Sequence, residues 1–167
     1  MEDENHFKYL VSSKKDTLWG ITVDNVGSAE VLPEYENYPS INGHPEEYYF
    51  RPDKGRVLDN YQFIYLSRGQ GICFFRPNVP IELKAGDMLI IPPYTWHSYF
   101  PDRKTGWCEY WIGMRGNTIE NRFLNGFVCS SQRIFKIGFC EEIIEYYHRA
   151  QEIAMQEMPG YQQVLAG

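Results

Sequence analysis

The chain is most easily read from what it lacks. Its 167 residues hold no apolar run near the roughly 20 residues that cross a bilayer. The N-terminus, MEDENHFKYL, has neither the basic nor the apolar region of a signal peptide. A cytoplasmic protein without membrane association is expected. Lys and Arg cluster no further than the pairs Lys14-Lys15 and Arg103-Lys104, and the formal net charge is −6. Gripping a phosphate backbone takes grouped cations, so this chain is not expected to touch nucleic acid itself. The four cysteines, Cys73, Cys108, Cys129 and Cys140, make no CxxC and read as small buried hydrophobes in a reducing compartment. There is no internal repeat and no low-complexity segment.

Aromatic residues, by contrast, are plentiful at 16% of the chain, more than core packing alone requires. Tyr and Trp in such excess line ligand cavities or interfaces. The most telling segment is 86–97, GDMLIIPPYTWH. A Gly-Asp turn enters a short apolar run suited to a strand buried on both faces. Pro92-Pro93 cannot donate to a ladder, so the chain leaves the sheet there and re-enters near Trp96. His97 and Tyr99 then share one face at the mouth of a barrel. Further strands are expected at 18–23, 29–32, 48–50, 61–67, 71–75, 81–83, 88–91, 97–100 and 107–112. Turns are expected at 25–27, 68–71, 76–78 and 85–87. Many short strands at close intervals indicate a sandwich or barrel. The stretch 33–45 reads as a surface loop.

After Gly113 the pattern changes to helix. A short helix is expected at 117–127 and a longer one at 140–158, where Ile143, Tyr147, Ala150 and Ala154 keep helical spacing. Pro159-Gly160 ends it. Residues 161–167 begin another helix of barely two turns, too short to stand alone. The chain therefore reads as a fragment cut early in a second helix.

The runs GRVLDNYQFIYLSRGQG (55–71), AGDMLIIPPYTWHSYFPD (85–102) and GWCEYWIGM (106–114), with GHPEEYYFRP (43–52) upstream and PGYQQVLAG at the end, resemble the N-terminal sensor domain of arabinose-regulator-type (AraC-family) transcription factors. The resemblance implies a mainly β fold, a cupin-like double-stranded β-helix or jelly-roll barrel followed by one or two C-terminal α-helices. The barrel with an N-terminal arm would span 1–116, and 117–167 would be a truncated dimerisation segment. The partners implied are a small polar effector, often a sugar, and a second copy of the chain. DNA would be met only through a C-terminal helix-turn-helix region absent here, and residues 1–10 would form an arm closing over the pocket.

The same resemblance places ligand contacts at Arg51, Tyr99, Glu109 and Trp111, with Glu109 standing where the arabinose-responsive member has histidine. Chemistry supports the pair on one strand. Glu109 and Trp111, at i and i+2, project a hydroxyl acceptor and a flat apolar platform to the same side. An interior carboxylate needs a partner, and Arg51 is the candidate. The plainer readings stay open: Trp111 as core, Glu109 as a surface acid, Arg51 as a solvated side chain. His97 is expected to hydrogen-bond a neighbour or a ligand hydroxyl. The strand expected from 61 offers no histidine or acid, so no metal set can be assembled and no cofactor is expected. No catalytic residue is assigned. The alternatives are a cupin enzyme, such as a sugar isomerase or epimerase using His97 and Tyr99 as its acid–base pair, and a plain carbohydrate-binding module.

Overall fold

The computed structural model describes residues 5–39, 44–46, 48 and 50–167. Residues 1–4 of the expected arm, 40–43 of the expected loop, and Glu47 and Tyr49 in and beside the strand expected at 48–50 lie outside it. Among the described residues the order is β1 (Asn5–Tyr9), α1 (Lys14–Thr17), β2 (Thr22–Val31), β3 (Tyr61–Phe74), β4 (Pro80–Lys84), β5 (Asp87–Ile91), β6 (Ser98–Pro101), β7 (Trp107–Arg115), α2 (Asn117–Leu124), β8 (Ile134–Lys136), α3 (Glu141–Gln156) and α4 (Tyr161–Ala166). All pairings are antiparallel, in the order β1-β2-β7-β3-β5-β8, with β4 and β6 also bonded to β3. This is the mainly β, cupin-like barrel that the resemblance implies, followed by helices.

Two long strands replace what the turn chemistry suggested were hairpins. The turn expected at 68–71 lies inside β3, which pairs with β7 and β5 through its first half and with β4 and β6 through its second. A bulge between Leu66 and Arg68 lets it bend from one sheet into the other. The extra residue also flips the inward parity: Gln62, Ile64 and Leu66 are buried before it, Gly71 and Cys73 after it. Likewise the turn expected at 25–27 lies within β2, where a bulge falls between Val23 and Asn25. Gly27 serves there for close approach, not for turning. A Cβ at Gly27 would stand 2.4 Å from the Trp111 ring and 2.6 Å from Phe7 Cβ. The strand expected from residue 18 starts only at Thr22. Ser13 caps α1 ahead of it, accepting from the Asp16 N–H at 3.2 Å while Asp16 accepts from the Ser13 N–H at 2.8 Å.

The barrel core joins side chains from β2 to β7, among them Ile64, Leu66, Leu83, Leu89, Tyr99 and Trp107. A second cluster lies outside the barrel wall. There Tyr65, Tyr110 and Tyr147 are buried with Ile112 and Ile143 beneath α3. The Tyr147 hydroxyl donates to Phe63 O at 3.0 Å, so the ring is buried with its polar tip paired. Burying each such ring contributes about 1.5–3 kcal/mol. The short α4 holds because Gln162, almost fully buried, accepts from the Val23 N–H at 2.9 Å and donates to Val23 O at 3.0 Å. The segment 117–167 is not all helix, since β8 extends the sheet beside β5.

Candidate functional site

Alternation along β7 turns Trp107, Glu109, Trp111 and Gly113 to one side, opposite Val31, Ala29, Gly27 and Asn25 of β2. Of these, Glu109, Trp111, Val31, Ala29 and Asn25, with Tyr38, Tyr99, Arg56 and Gln62, line a cavity of about 50 Å³. Glu109 is 5% exposed, so it is interior and not a surface acid. Both its carboxylate oxygens accept from the Tyr38 hydroxyl, at 2.9 and 3.1 Å. Burial lifts the Glu109 pKa from 4.5 to about 7, against the opposing pull of the Tyr38 hydroxyl, the Arg56 charge and the Trp107 indole. Trp111 is half-buried, flat against Gly27, with Phe7 and His44 rings at 6.4 and 6.3 Å.

Tyr99 lines the same cavity, and His97 stands behind it, their rings parallel and 6.0 Å apart. His97 is fully buried and outside the cavity lining. Its Nδ1 lies 2.9 Å from Thr95 O and its Nε2 3.0 Å from Arg56 Nε. A carbonyl only accepts and a guanidinium only donates, so Nδ1 carries the proton and the ring is neutral. Burial and the Arg56 charge push its pKa down to about 3, consistent with that state. Arg56 donates in addition to the Tyr99 hydroxyl at 2.7 Å and to Tyr48 O. Its guanidinium also lies over the Phe50 ring, 4.5 Å from the centroid. Tyr99, whose pKa burial raises to about 12, accepts from Arg56 and keeps its own proton to donate.

Arg51 is not the arginine of this cavity. It sits at the head of a turn whose Lys54 and Gly55 N–H groups bond its carbonyl. Its side chain, 62% exposed, pairs with Asp53 at 2.9 Å. The cavity arginine is Arg56, five residues on, brought in by the bridge that joins its backbone to His97. The pairing of Glu109 with Arg51 is therefore replaced by Tyr38 at hydrogen-bond distance and Arg56 as the nearby charge. The loop at 33–45 is likewise not all surface. Tyr35 bonds Pro101 O at 2.8 Å, and the Tyr38 ring stands edge-on to Trp107 at 5.5 Å. Sequence reading missed Arg56, Tyr38, Asn25 and Gln62. Only a glycine inside an alternating strand, VDNVGSAEV, signalled that something large approaches β2 there.

β1 pairs with β2 and turns Phe7 and Tyr9 toward the cavity edge. Phe7 stacks on His44 at 4.3 Å, and the Tyr9 hydroxyl lies 2.6 Å from His44 Nδ1. Among the described residues no three His, Cys, Asp or Glu side chains group closely enough to hold a metal ion. None of the described helices is long and apolar enough to cross a membrane.

Against solved structures, the chain is similar to a RmlC-like cupin with a double-stranded β-helix fold from Methanocaldococcus jannaschii. That match has a TM-score of 0.42 at 12% identity, over 71% of this chain and 86% of that one. It is similar also to the protein YhaK of Escherichia coli, with a TM-score of 0.45 at 8% identity, over 68% and 45%. Among curated proteins it is 31% identical over 88 residues to the MmsAB operon regulatory protein of Pseudomonas aeruginosa, covering 48% of this chain. The match spans only 27% of that protein's length. Residues 41–156, well over half of the chain, match the AraC-like ligand binding domain, and the chain belongs to that family.

Proposed function

We propose that this chain is the effector-sensing part of a transcriptional regulator, holding a small hydroxylated molecule, a sugar or a close relative, in the cavity of β7. One observation carries the reading: a buried carboxylate, Glu109, and an indole, Trp111, project from one strand into one cavity beside a tethered arginine, Arg56. Hydroxyls would meet Glu109 and Tyr99, and the C–H face of a ring would lie on Trp111. At about 50 Å³ the space is well below the roughly 300 Å³ of a usual ligand pocket, so entry requires side chains to move. Tyr38 is the one to move, since its hydroxyl already sits on Glu109 as a ligand hydroxyl would.

Displacing Tyr38 and resetting β1 would give the effector different affinities for two arrangements, which is what relay to a DNA-contacting region outside this chain requires. The protein would act as a homodimer. The exposed Tyr146 and Met155 of α3 and Val164 of α4 support self-association there. No catalytic role is assigned, and the cytoplasm is the expected compartment.

A thermal-shift screen against pentoses, hexoses, uronic acids and oligosaccharides tests the reading. At least one class should raise the melting temperature, and Trp111→Ala should weaken that binding about tenfold, roughly 1.4 kcal/mol. A lower melting temperature with unchanged affinity would assign Trp111 to packing alone.

A further inference from the structure

The far end of the cavity from Glu109 is built differently. Asn25, Gly113 and Gln62 lie in one row across β2, β7 and β3. The bulge between Val23 and Asn25 is what aims Asn25 inward, because without the extra residue its side chain would fall on the opposite face. Gly113 then leaves the space into which two carboxamides converge. A Cβ there would stand 2.3 Å from Asn25 Nδ2 and 2.4 Å from Gln62 Nε2. Gln62 is committed, donating to Asn60 Oδ1 at 2.9 Å. Asn25 is not. It is 1% exposed and lines the cavity, yet neither its Nδ2 nor its Oδ1 has a hydrogen-bond partner among the described residues. The Tyr48 hydroxyl is close enough to feel the Asn25 amide, but the contact does not reach hydrogen-bond geometry, and Tyr48 accepts from Asn60 at 3.1 Å.

Buried carboxamides with both atoms unmet are rare, because each costs free energy to desolvate. Here the residue faces a cavity whose other end carries the hydroxyl-binding pair. We infer that Asn25, oriented beside Gln62 over Gly113, is a second polar subsite that binds a terminal hydroxyl of the effector and selects molecules polar at both ends. The inference rests on the effector-sensing reading given above. The partner must both donate and accept, since Nδ2 needs an acceptor and Oδ1 a donor. A hydroxyl does both, whereas a carboxylate would leave Oδ1 unmet. Glu109 and Gly113 are four residues apart on β7, so the two polar groups lie at separate places along the strand and a ligand meeting both must carry hydroxyls at both ends.

The test uses Asn25→Leu, similar in volume and without polar atoms, with Trp111→Ala in parallel. Melting temperature is read first, with no ligand added. Replacing an unmet buried amide by an apolar group should leave the melting temperature equal or raise it. A clear fall would mean that Asn25 is satisfied structurally, by an ordered water or by Tyr48, and would overturn the inference whatever binds. Glucose, galactose and mannose are then compared with their 6-deoxy counterparts by calorimetry. The wild type should prefer the 6-hydroxyl form at least tenfold in one pair, and Asn25→Leu should erase that preference. If the preference survives in Asn25→Leu while Trp111→Ala weakens binding about tenfold, the subsite is wrong and the sensing reading stands. If none of the six sugars binds the wild type, the terminal-hydroxyl subsite is overturned, and the sensing reading is decided separately by the pentoses, uronic acids and oligosaccharides of the wider screen.

Discussion

The two faces of β7 are built to opposite rules. On one face Glu109 and Trp111 line the cavity, where the carboxylate is buried with its pKa pushed up to about 7 and the amide of Asn25 goes without a partner among the described residues. On the other, Cys108, Tyr110 and Ile112 pack under α3 with Tyr65 and Tyr147. The polar tips there are met: Tyr147 by Phe63 O, and Tyr65 by donating to Gly138 O at 2.8 Å while accepting from the Cys140 N–H at 2.9 Å. The outer face therefore supplies stability and the inner face spends it on unmet polar groups. Such division is expected where binding chemistry must be carried by a rigid frame.

The comparison breaks most visibly on the outer face. Tyr147→Ala removes a buried ring and its hydrogen bond, and should cost about 3–5 kcal/mol. The melting temperature should fall by roughly 10 °C, with affinity for the best sugar of the screen nearly unchanged. A loss below about 1 kcal/mol would place α3 outside the cooperative core.

The inner face should respond to pH instead. Because Glu109 has a folded pKa near 7 against an ordinary 4.5, the native state binds more protons than the unfolded chain between those values. Stability from this group is thus present at low pH and declines as pH rises from about 4.5 through 7, by about 3 kcal/mol in all. Glu109→Gln keeps the shape and an acceptor for Tyr38 but cannot ionise. The variant and wild type should melt alike near pH 5, and the variant should melt higher at pH 8. Other titrating groups are shared by both proteins and cancel in the difference. Equal melting at pH 8 would show that the carboxylate is better solvated than its burial implies.

The two faces were also unequally legible in the sequence. The helix of the outer face showed itself through the spacing of Ile143, Tyr147 and Ala154, because packing on a sheet enforces a helical period. The pair Glu109 and Trp111 was legible through the period of two. Arg51 was placed by the resemblance alone, and nothing in the local sequence marks Arg56, five residues on, as the arginine that turns inward. Only the pairing of Arg56 with His97, 41 residues apart, decides between them. Asn25 was hidden for a different reason. Bulges in β2 and β3 add single residues that reverse inward parity, and Asn-Val-Gly or Arg-Gly-Gln-Gly in a bulged strand is chemically the same as in a turn. Tyr38 lay in a loop rich in turn formers, where nothing local says that one ring folds back onto a carboxylate.

Tyr38→Phe gives the smallest and sharpest probe, because it changes one hydroxyl and leaves the ring against Trp107. Two outcomes are coupled. Without the Tyr38 hydroxyl the ionised Glu109 loses a stabilising donor, so its pKa should rise further and the stability difference from wild type should widen above pH 7. The effector, meanwhile, no longer competes with a resident hydroxyl for Glu109. A hydrogen bond worth about 1 kcal/mol net converts to an affinity gain of roughly fivefold, read by calorimetry at pH 8. At pH 5, where Glu109 is protonated in both proteins, the gain should shrink. An affinity that falls in Tyr38→Phe at both pH values would make Tyr38 part of the bound state, not the group that the effector displaces.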